Sequence, residues 1–240
     1  MQTIKLGRGL CMLLNYNSQT KMAKGEKWGW KTAILHLAPF KLSGKNVCPS
    51  ASKECAAACL NTAGRGQMGS VQKARIRKTK LFWKNRQEFM QQLDQEIGKL
   101  KARAKRKGFK FAVRLNGTSD LAWERFTWIQ GQTLMQRHPD VQFYDYTKVL
   151  NRALAPLPRN YHLTFSDSGS NDQELAAAQK AGRNIAVVFR DKLPRTYQGK
   201  KVIDGDKHDL RFHDPAGVVI GLVAKGAGRK LVSSFIREAL

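Results

Sequence analysis

The run Asn184-Ile185-Ala186-Val187-Val188-Phe189, followed at once by Arg190-Asp191, is apolar at every position but its first. A strand covered on one face only would alternate apolar with polar residues. An unbroken run of apolar side chains, mostly β-branched or aromatic, bounded by polar residues suits a strand buried on both faces, as in parallel sheets. Working outward, similar runs recur at Thr32–Leu37, Phe109–Leu115, Val141–Tyr146, Tyr161–Phe165, Val202-Ile203 and Val218–Ala224. Between them lie helical patterns: a basic stretch before Phe109, Ala122–Arg137 closed by His138-Pro139, Thr147–Leu154, and Asn171–Ala181 with Gly182 just past its end. Strands alternating with helices predict βαβ crossovers. About seven strands predict an α/β fold, a complete or partial parallel β/α barrel of TIM-like type, over residues 32–240 as one domain behind an N-terminal extension of residues 1–31.

Six strands run straight into polar groups: Asn116 to Asp120, Asp145 with Lys148, Ser166-Asp167-Ser168, Arg190-Asp191, Asp204 to Asp209, and Lys225. In a β/α barrel these ends converge on one mouth, where sites are built. Singly, such residues are good turn formers. Together they nominate Asp120, Asp145 and Lys148 as catalytic and Asn116, Gly117, Ser119 and Ser166 as cofactor-binding.

Cys48, Cys55 and Cys59 lie within twelve residues, after the first strand of this ladder. Cys55 and Cys59 are one helical turn apart and share a face. The stretch Cys11-Met12-Leu13-Leu14 is too short for a signal-peptide core, so the expected compartment is cytoplasmic, where clustered thiols point to metal or redox chemistry rather than disulfides. One short pair plus one outlier is a poor zinc pattern. Three thiolates in a loop leading into a helix match an iron–sulfur cluster, 4Fe-4S with the fourth iron held by Cys11, by another group, or open to a ligand. Zinc, or three small buried hydrophobes beside Ala56, Ala57 and Ala58, are the alternatives.

The 240-residue chain carries 43 Lys and Arg against 18 Asp and Glu, a net charge of +25. About half the excess falls in Arg65–Lys110, with fifteen basic residues against Glu88, Asp94 and Glu96. There Val71, Ile76, Leu81 or Phe82, Phe89, Leu93, Ile97 and Leu100 form an amphipathic stripe, predicting one long basic helix or two in series. The opposite face predicts phosphate contacts from Arg75, Arg77, Lys78, Lys80 and Lys84, hence a nucleic-acid partner bound largely through counterion release. No run reaches the length of a membrane span. His36 and His162 read as core or rim residues, His138 as a structural residue at a helix end, and the five scattered tryptophans as core rather than a base-stacking platform. Neither a phosphate-cradling Gly loop nor a nucleophile elbow occurs, which disfavours nucleotide hydrolysis and acyl transfer.

The segments Val47-Cys48-Pro49, Glu54-Cys55-Ala56, Ala58-Cys59-Leu60 and Gly64-Arg65-Gly66, then Val113-Arg114-Leu115-Asn116, Thr118-Ser119-Asp120, Asp209-Leu210-Arg211-Phe212 and Ala224-Lys225-Gly226, resemble the phage-borne gene product 88-like proteins over most of the chain. That resemblance implies a phage or mobile-element protein and no particular reaction. The placement of three cysteines after the first strand, and of Asn116-Gly117-Thr118-Ser119-Asp120 after the second, is also similar in architecture to radical S-adenosylmethionine enzymes. The cysteine spacing differs, with six and three intervening residues here against three and two in that superfamily. The similarity therefore supports a cluster more directly than the use of S-adenosylmethionine.

Three functions follow as expectations. The first is a cluster-bearing barrel enzyme working on or near nucleic acid. The second is a non-catalytic basic nucleic-acid-binding protein, for phage replication or host takeover, with a structural metal site. The third is a divalent-metal nuclease built on Asp204, Asp206, Asp209, Asp214, His208 and His213.

Overall fold

The computed structural model describes residues 12–16 and 20–239; Cys11, the candidate fourth ligand, lies outside them. Among the described residues twelve strands occur in chain order: β1 (Leu14–Tyr16), β2 (Trp30–Leu35), β3 (Lys110–Arg114), β4 (Thr127–Ile129), β5 (Gln132–Thr133), β6 (Gln142–Thr147), β7 (Tyr161–Ser166), β8 (Ile185–Phe189), β9 (Thr196–Tyr197), β10 (Lys200–Asp204), β11 (Val219–Val223) and β12 (Ile236–Arg237). The helices are α1 (Thr20–Lys24), α2 (Lys53–Ala57), α3 (Gly69–Lys84), α4 (Arg86–Arg106), α5 (Leu134–Arg137), α6 (Leu150–Leu154) and α7 (Asp172–Lys180).

All seven anticipated strands are present and form one parallel run, in the order β2-β3-β6-β7-β8-β11-β10. Antiparallel β1 and β9 extend it at the two ends. No ladder joins those ends among the described residues, so the sheet is a large, mostly parallel, open one. The closed TIM-like barrel is thus not what the ladders form. Here β1 occupies the free edge of β2, and β9 that of β10, which a closing pair would need. Residues 14–28, ahead of the expected domain start, supply β1, α1 and a 3₁₀ turn at Gly25–Trp28.

Side-chain alternation gives the sheet two unlike faces. One carries Ala33, Leu35, Phe111, Val113, Phe143 and Leu163, which pack with Phe89, Met90, Leu93, Ile97 and Leu100 of α4 in a continuous apolar core. The other carries polar groups, and the segment after β10 covers it. Arg114 and the Tyr144 hydroxyl both reach Asp209, at 3.3 and 2.9 Å, and the Phe212 ring lies 5.6 Å from that of Tyr144 and 4.8 Å from that of Trp30. Side chains of that segment, rather than backbone ladders, thus link the β10 end of the sheet to β2, β3 and β6.

The basic stretch is two helices in series. Asn85 leaves the helical region (φ −140°) and its side chain caps α4 by accepting the Glu88 N–H. Glu96 of α4, buried, accepts the backbone N–H groups of Leu13 and Leu14 at 2.9 and 2.8 Å, and Lys78 of α3 donates to the Leu13 carbonyl at 2.7 Å. The charged clamp holds β1 on the sheet edge. A helix over Ala122–Arg137 does not form. The segment is a 3₁₀ turn, the β4–β5 hairpin and the short α5, because Gln130-Gly131, both at positive φ, make a two-residue turn. Near the chain's end, β7 pairs only with Ile185 and Ala186 of β8, and β12 takes over beside Val188 and Phe189.

Candidate functional site

The cysteine loop leaves the C-terminal end of β2 and is tied to the corresponding ends of other strands. Thr118 Oγ1 donates to the Leu37 carbonyl at 2.6 Å, and the Asp120 N–H to that of Val47 at 2.8 Å. Cys48 Sγ accepts the Phe40 N–H at 3.4 Å and stands 3.7 Å from the Thr118 carbonyl. Ser52 caps α2 by accepting the Cys55 N–H, and its hydroxyl donates to the Ser168 carbonyl beyond β7 at 2.7 Å. Cys55 packs on Ala58, Ala224, Phe235 and Ile236, side chains of the β11 and β12 ends. Cys59 Sγ accepts the Asn61 N–H at 3.5 Å.

All three cysteines are free and partly buried, and they share one neighbourhood. Burial pushes the Cys48 thiol up to about 12, and the charges of Cys59, Asp120 and Cys55 add to the rise. Burial likewise raises Cys59; Cys55 adds to this, while the Asn61 N–H, Arg75 and Lys148 oppose it. Cys48 and Cys59 so placed stay protonated unless a cation sits beside them. Two cations face this place. Arg75 hydrogen-bonds Asn61, and its Nε has no partner. Lys148 Nζ donates to Ser166 Oγ at 3.0 Å and lies 5.7 Å from the Phe235 ring centroid. Among the described residues neither has a carboxylate at ion-pair distance. No three His, Cys, Asp or Glu among them are placed to hold a single metal ion.

The remaining nominated residues separate into tethers and surface groups. Asp120 does not face open space: one oxygen pairs with Arg152 at 2.6 Å and the other accepts the Lys148 N–H at 2.8 Å. Arg152 is also bidentate to Glu124 at 2.8 and 2.9 Å. Asp145 is fully buried and accepts the Asn116 N–H at 2.7 Å, the Asn116 amide at 3.3 Å and the Tyr161 hydroxyl at 3.0 Å. Asn116 is saturated in turn, accepting from Ser119 Oγ, the Leu121 N–H and Trp123 Nε1. Asp120, Asp145, Asn116 and Ser119 therefore set the loop after β3, and of the nominated polar groups Lys148, with Ser166 bound to it, and Asp120 lie near the cysteines. On α3, Arg77, Lys80 and Lys84 are exposed, but Arg75 and Lys78 are buried, turned to Asn61 and to Leu13. The exposed basic face is correspondingly narrower than the periodicity implied.

The carboxylates after β10 are each paired separately. Asp206 meets Lys21 and Lys225 at 3.0 and 2.6 Å, Asp209 meets Arg114, and Asp214 meets Arg211 at 3.2 Å. A Cβ on Gly117 would stand 2.5 Å from His36 Nδ1 and 2.6 Å from Ile34 Cγ2. Gly117→Ala is expected to lose about 1–3 kcal/mol of stability through overpacking, read by urea denaturation; an unchanged midpoint would refute the close-packing role.

Burial raises the Asp145 carboxyl to about 7, against the Asn116 N–H, Arg114 and Arg152, which lower it. The folded protein then keeps a proton that the unfolded chain releases near the model-peptide value, so the contribution of this group to stability is fullest below about pH 4 and is lost as pH rises to about 7. Asp145→Asn is expected to flatten that decline in denaturation curves taken across the interval. An equal slope in the variant would assign it to other groups.

A family model described as Gene product 88 matches residues 12–239. No curated protein and no solved structure matches the chain.

Proposed function

The chain belongs to the gene product 88 family, and from that premise we propose that it is an iron–sulfur protein, an enzyme of radical S-adenosylmethionine-like architecture working on or near nucleic acid. The observation that carries the proposal is the meeting of Cys48, Cys55 and Cys59 with two carboxylate-free cations, Arg75 and Lys148, at the C-terminal ends of parallel strands. On this reading the open sheet acts as a partial barrel with these strand ends as its mouth.

The donor set fits a polynuclear cluster better than zinc. A single tetrahedral ion needs its thiolates to converge on one point at about 2.3 Å, whereas a 4Fe-4S cluster spreads them over several irons. The N–H groups of Phe40 and Asn61 aimed at Cys48 and Cys59 would stabilise thiolate charge. Arg75 and Lys148 would offset the cluster's negative charge, and Lys148, oriented by Ser166, would bind an anionic group of a co-substrate such as the carboxylate of S-adenosylmethionine. When bound, a cluster of this kind supplies one-electron chemistry at an iron left open by three-cysteine ligation.

Metal and sulfide analysis of anaerobically isolated and reconstituted protein, with an electron paramagnetic resonance spectrum of the reduced form, tests this reading. The expected result is brown protein with about four iron and sulfide per chain. Colourless protein, or one carrying zinc alone, would overturn it.

The exposed Lys73, Arg77, Lys80 and Lys84 on α3 favour one second reading, a nucleic-acid-binding protein in which the thiol site only staples its loop. Steeply salt-dependent binding that Lys148→Ala leaves intact, with no reaction from the reduced protein, would favour it.

A further inference from the structure

Trp28 and Trp30 were expected in the core. Trp28 is instead 56% exposed, at the end of a 3₁₀ turn that closes on Gly29 in the left-handed region. Around it the rings are contiguous. His208 lies 5.1 Å and His213 6.2 Å from Trp28 between centroids, and Trp30 meets Phe212 at 4.8 Å and His213 at 5.6 Å. The patch is at the start of β2, so the cysteine loop, which follows the end of that strand, is at the other end of the sheet.

The rim of the patch is cationic. Lys110 lies opposite Trp30 in the β2–β3 register, with its Nζ 5.6 Å from the Trp30 ring centroid. Lys27 is exposed on the turn that carries Trp28, and Lys24, exposed at the end of α1 just before it, donates to the Asp206 carbonyl at 3.1 Å. The last turn of α4 brings Arg106 and Lys107, also exposed, to the same end, because the Lys110 N–H donates to the Gly29 carbonyl. Glu26 is engaged by Lys31 at 2.5 Å, and Asp206 by Lys21 and Lys225.

An exposed tryptophan backed by other rings and rimmed with exposed lysine and arginine has the two elements that hold unpaired nucleic acid: a flat π surface for a base and cations for the flanking phosphates. We propose that the Trp28 patch is a stacking platform for a single-stranded polynucleotide. A duplex keeps its bases stacked internally and offers this ring none, so the strand must be unpaired. Trp28 stacks a base, His208 and His213 support the ring, and Lys110 holds an adjacent phosphate. The proposal does not rest on the thiol site, since the metal-free and reconstituted proteins are expected to bind alike.

The test uses the full chain and a labelled oligothymidylate of about twelve nucleotides, within the range of single-strand site sizes. Binding is expected to quench tryptophan fluorescence, and Trp28→Ala is expected to weaken it about tenfold, a loss typical of one stacked base. Trp28→Phe should keep most of the affinity, and Trp83→Ala, removing the exposed tryptophan of α3, should keep all of it. Wild-type affinity in Trp28→Ala overturns the proposal. So does an equal loss in Trp28→Phe or Trp83→Ala, and so does equal affinity for a duplex of the same length. None of these outcomes bears on iron content, so the two proposals fail separately.

Discussion

Cys59→Ala is expected to cut cluster incorporation, read as iron, sulfide and visible absorbance after anaerobic reconstitution, by more than about tenfold. Changes to groups that merely support a ligand already cost 10–100-fold in metal affinity, so losing the sulfur itself costs at least as much. The fold gives this variant a clean background. The Cys59 thiol makes one long hydrogen bond, from the Asn61 N–H at 3.5 Å, so removing the sulfur forfeits only a weak cap. The short helical turn Leu60–Thr62 keeps its carbonyl contact from Thr62 to Cys59, which is backbone and independent of the side chain. Far-ultraviolet circular dichroism should therefore match wild type while the colour is lost. If Cys59→Ala retains full iron, Cys59 is no ligand, and a cluster held by these three thiols is excluded.

The second large effect falls on stability. Arg152→Ala is expected to destabilise the protein by about 3–5 kcal/mol, the cost of leaving buried charges without their partner. The guanidinium serves two carboxylates at once, Asp120 at 2.6 Å and Glu124 at 2.8 Å, whose side chains are only 11% and 10% exposed. It also reaches Thr147 Oγ1 and the Tyr161 hydroxyl, both at 3.3 Å. Removing it strands two acids and frees the loop that holds Lys148, whose N–H is bound by Asp120. Since domains are typically stable by 5–15 kcal/mol, such a loss takes a large share. Urea denaturation measures it; a change below about 1 kcal/mol would mean that the acids find water or protonate at little cost.

These two cases show what the amino-acid order could and could not disclose. The parallel strands were legible because burial on both faces leaves a local mark, an apolar run bounded by polar residues, at Ile185–Phe189 and its counterparts. The hairpin at Thr127–Thr133 was also marked, by Gln130-Gly131 between β-formers, but the apolar spacing around it mimics a helix. The position of the cysteines after β2 followed from order alone. The role of Asp120 and Asp145 did not, because it depends on Arg152 and Asn116, partners 32 and 29 residues away. A carboxylate at a strand end reads the same whether it faces a ligand or ties down a loop. Arg75 and Lys78 present the same difficulty: periodicity places them beside solvent-facing lysines, yet Asn61 and the Leu13 carbonyl draw them inward. Trp28 was misplaced for the converse reason, since bulk argues for burial and only the turn at Gly25–Trp28 turns it outward.

The way β12 takes over from β7 beside β8 has a bearing on how the protein keeps from sticking to itself. Val188 and Phe189 would otherwise show a bare row of amide and carbonyl groups at the top of a central strand, next to the apolar Phe235 and Ala224. Such a row recruits strands from other molecules. Ile236 and Arg237 fill it from within, and Arg237 is latched by Asp167 and Asp172 at 2.7 and 2.5 Å. Unlatching those two residues would convert a sheltered strand into an adhesive seam, with self-association as the consequence rather than unfolding.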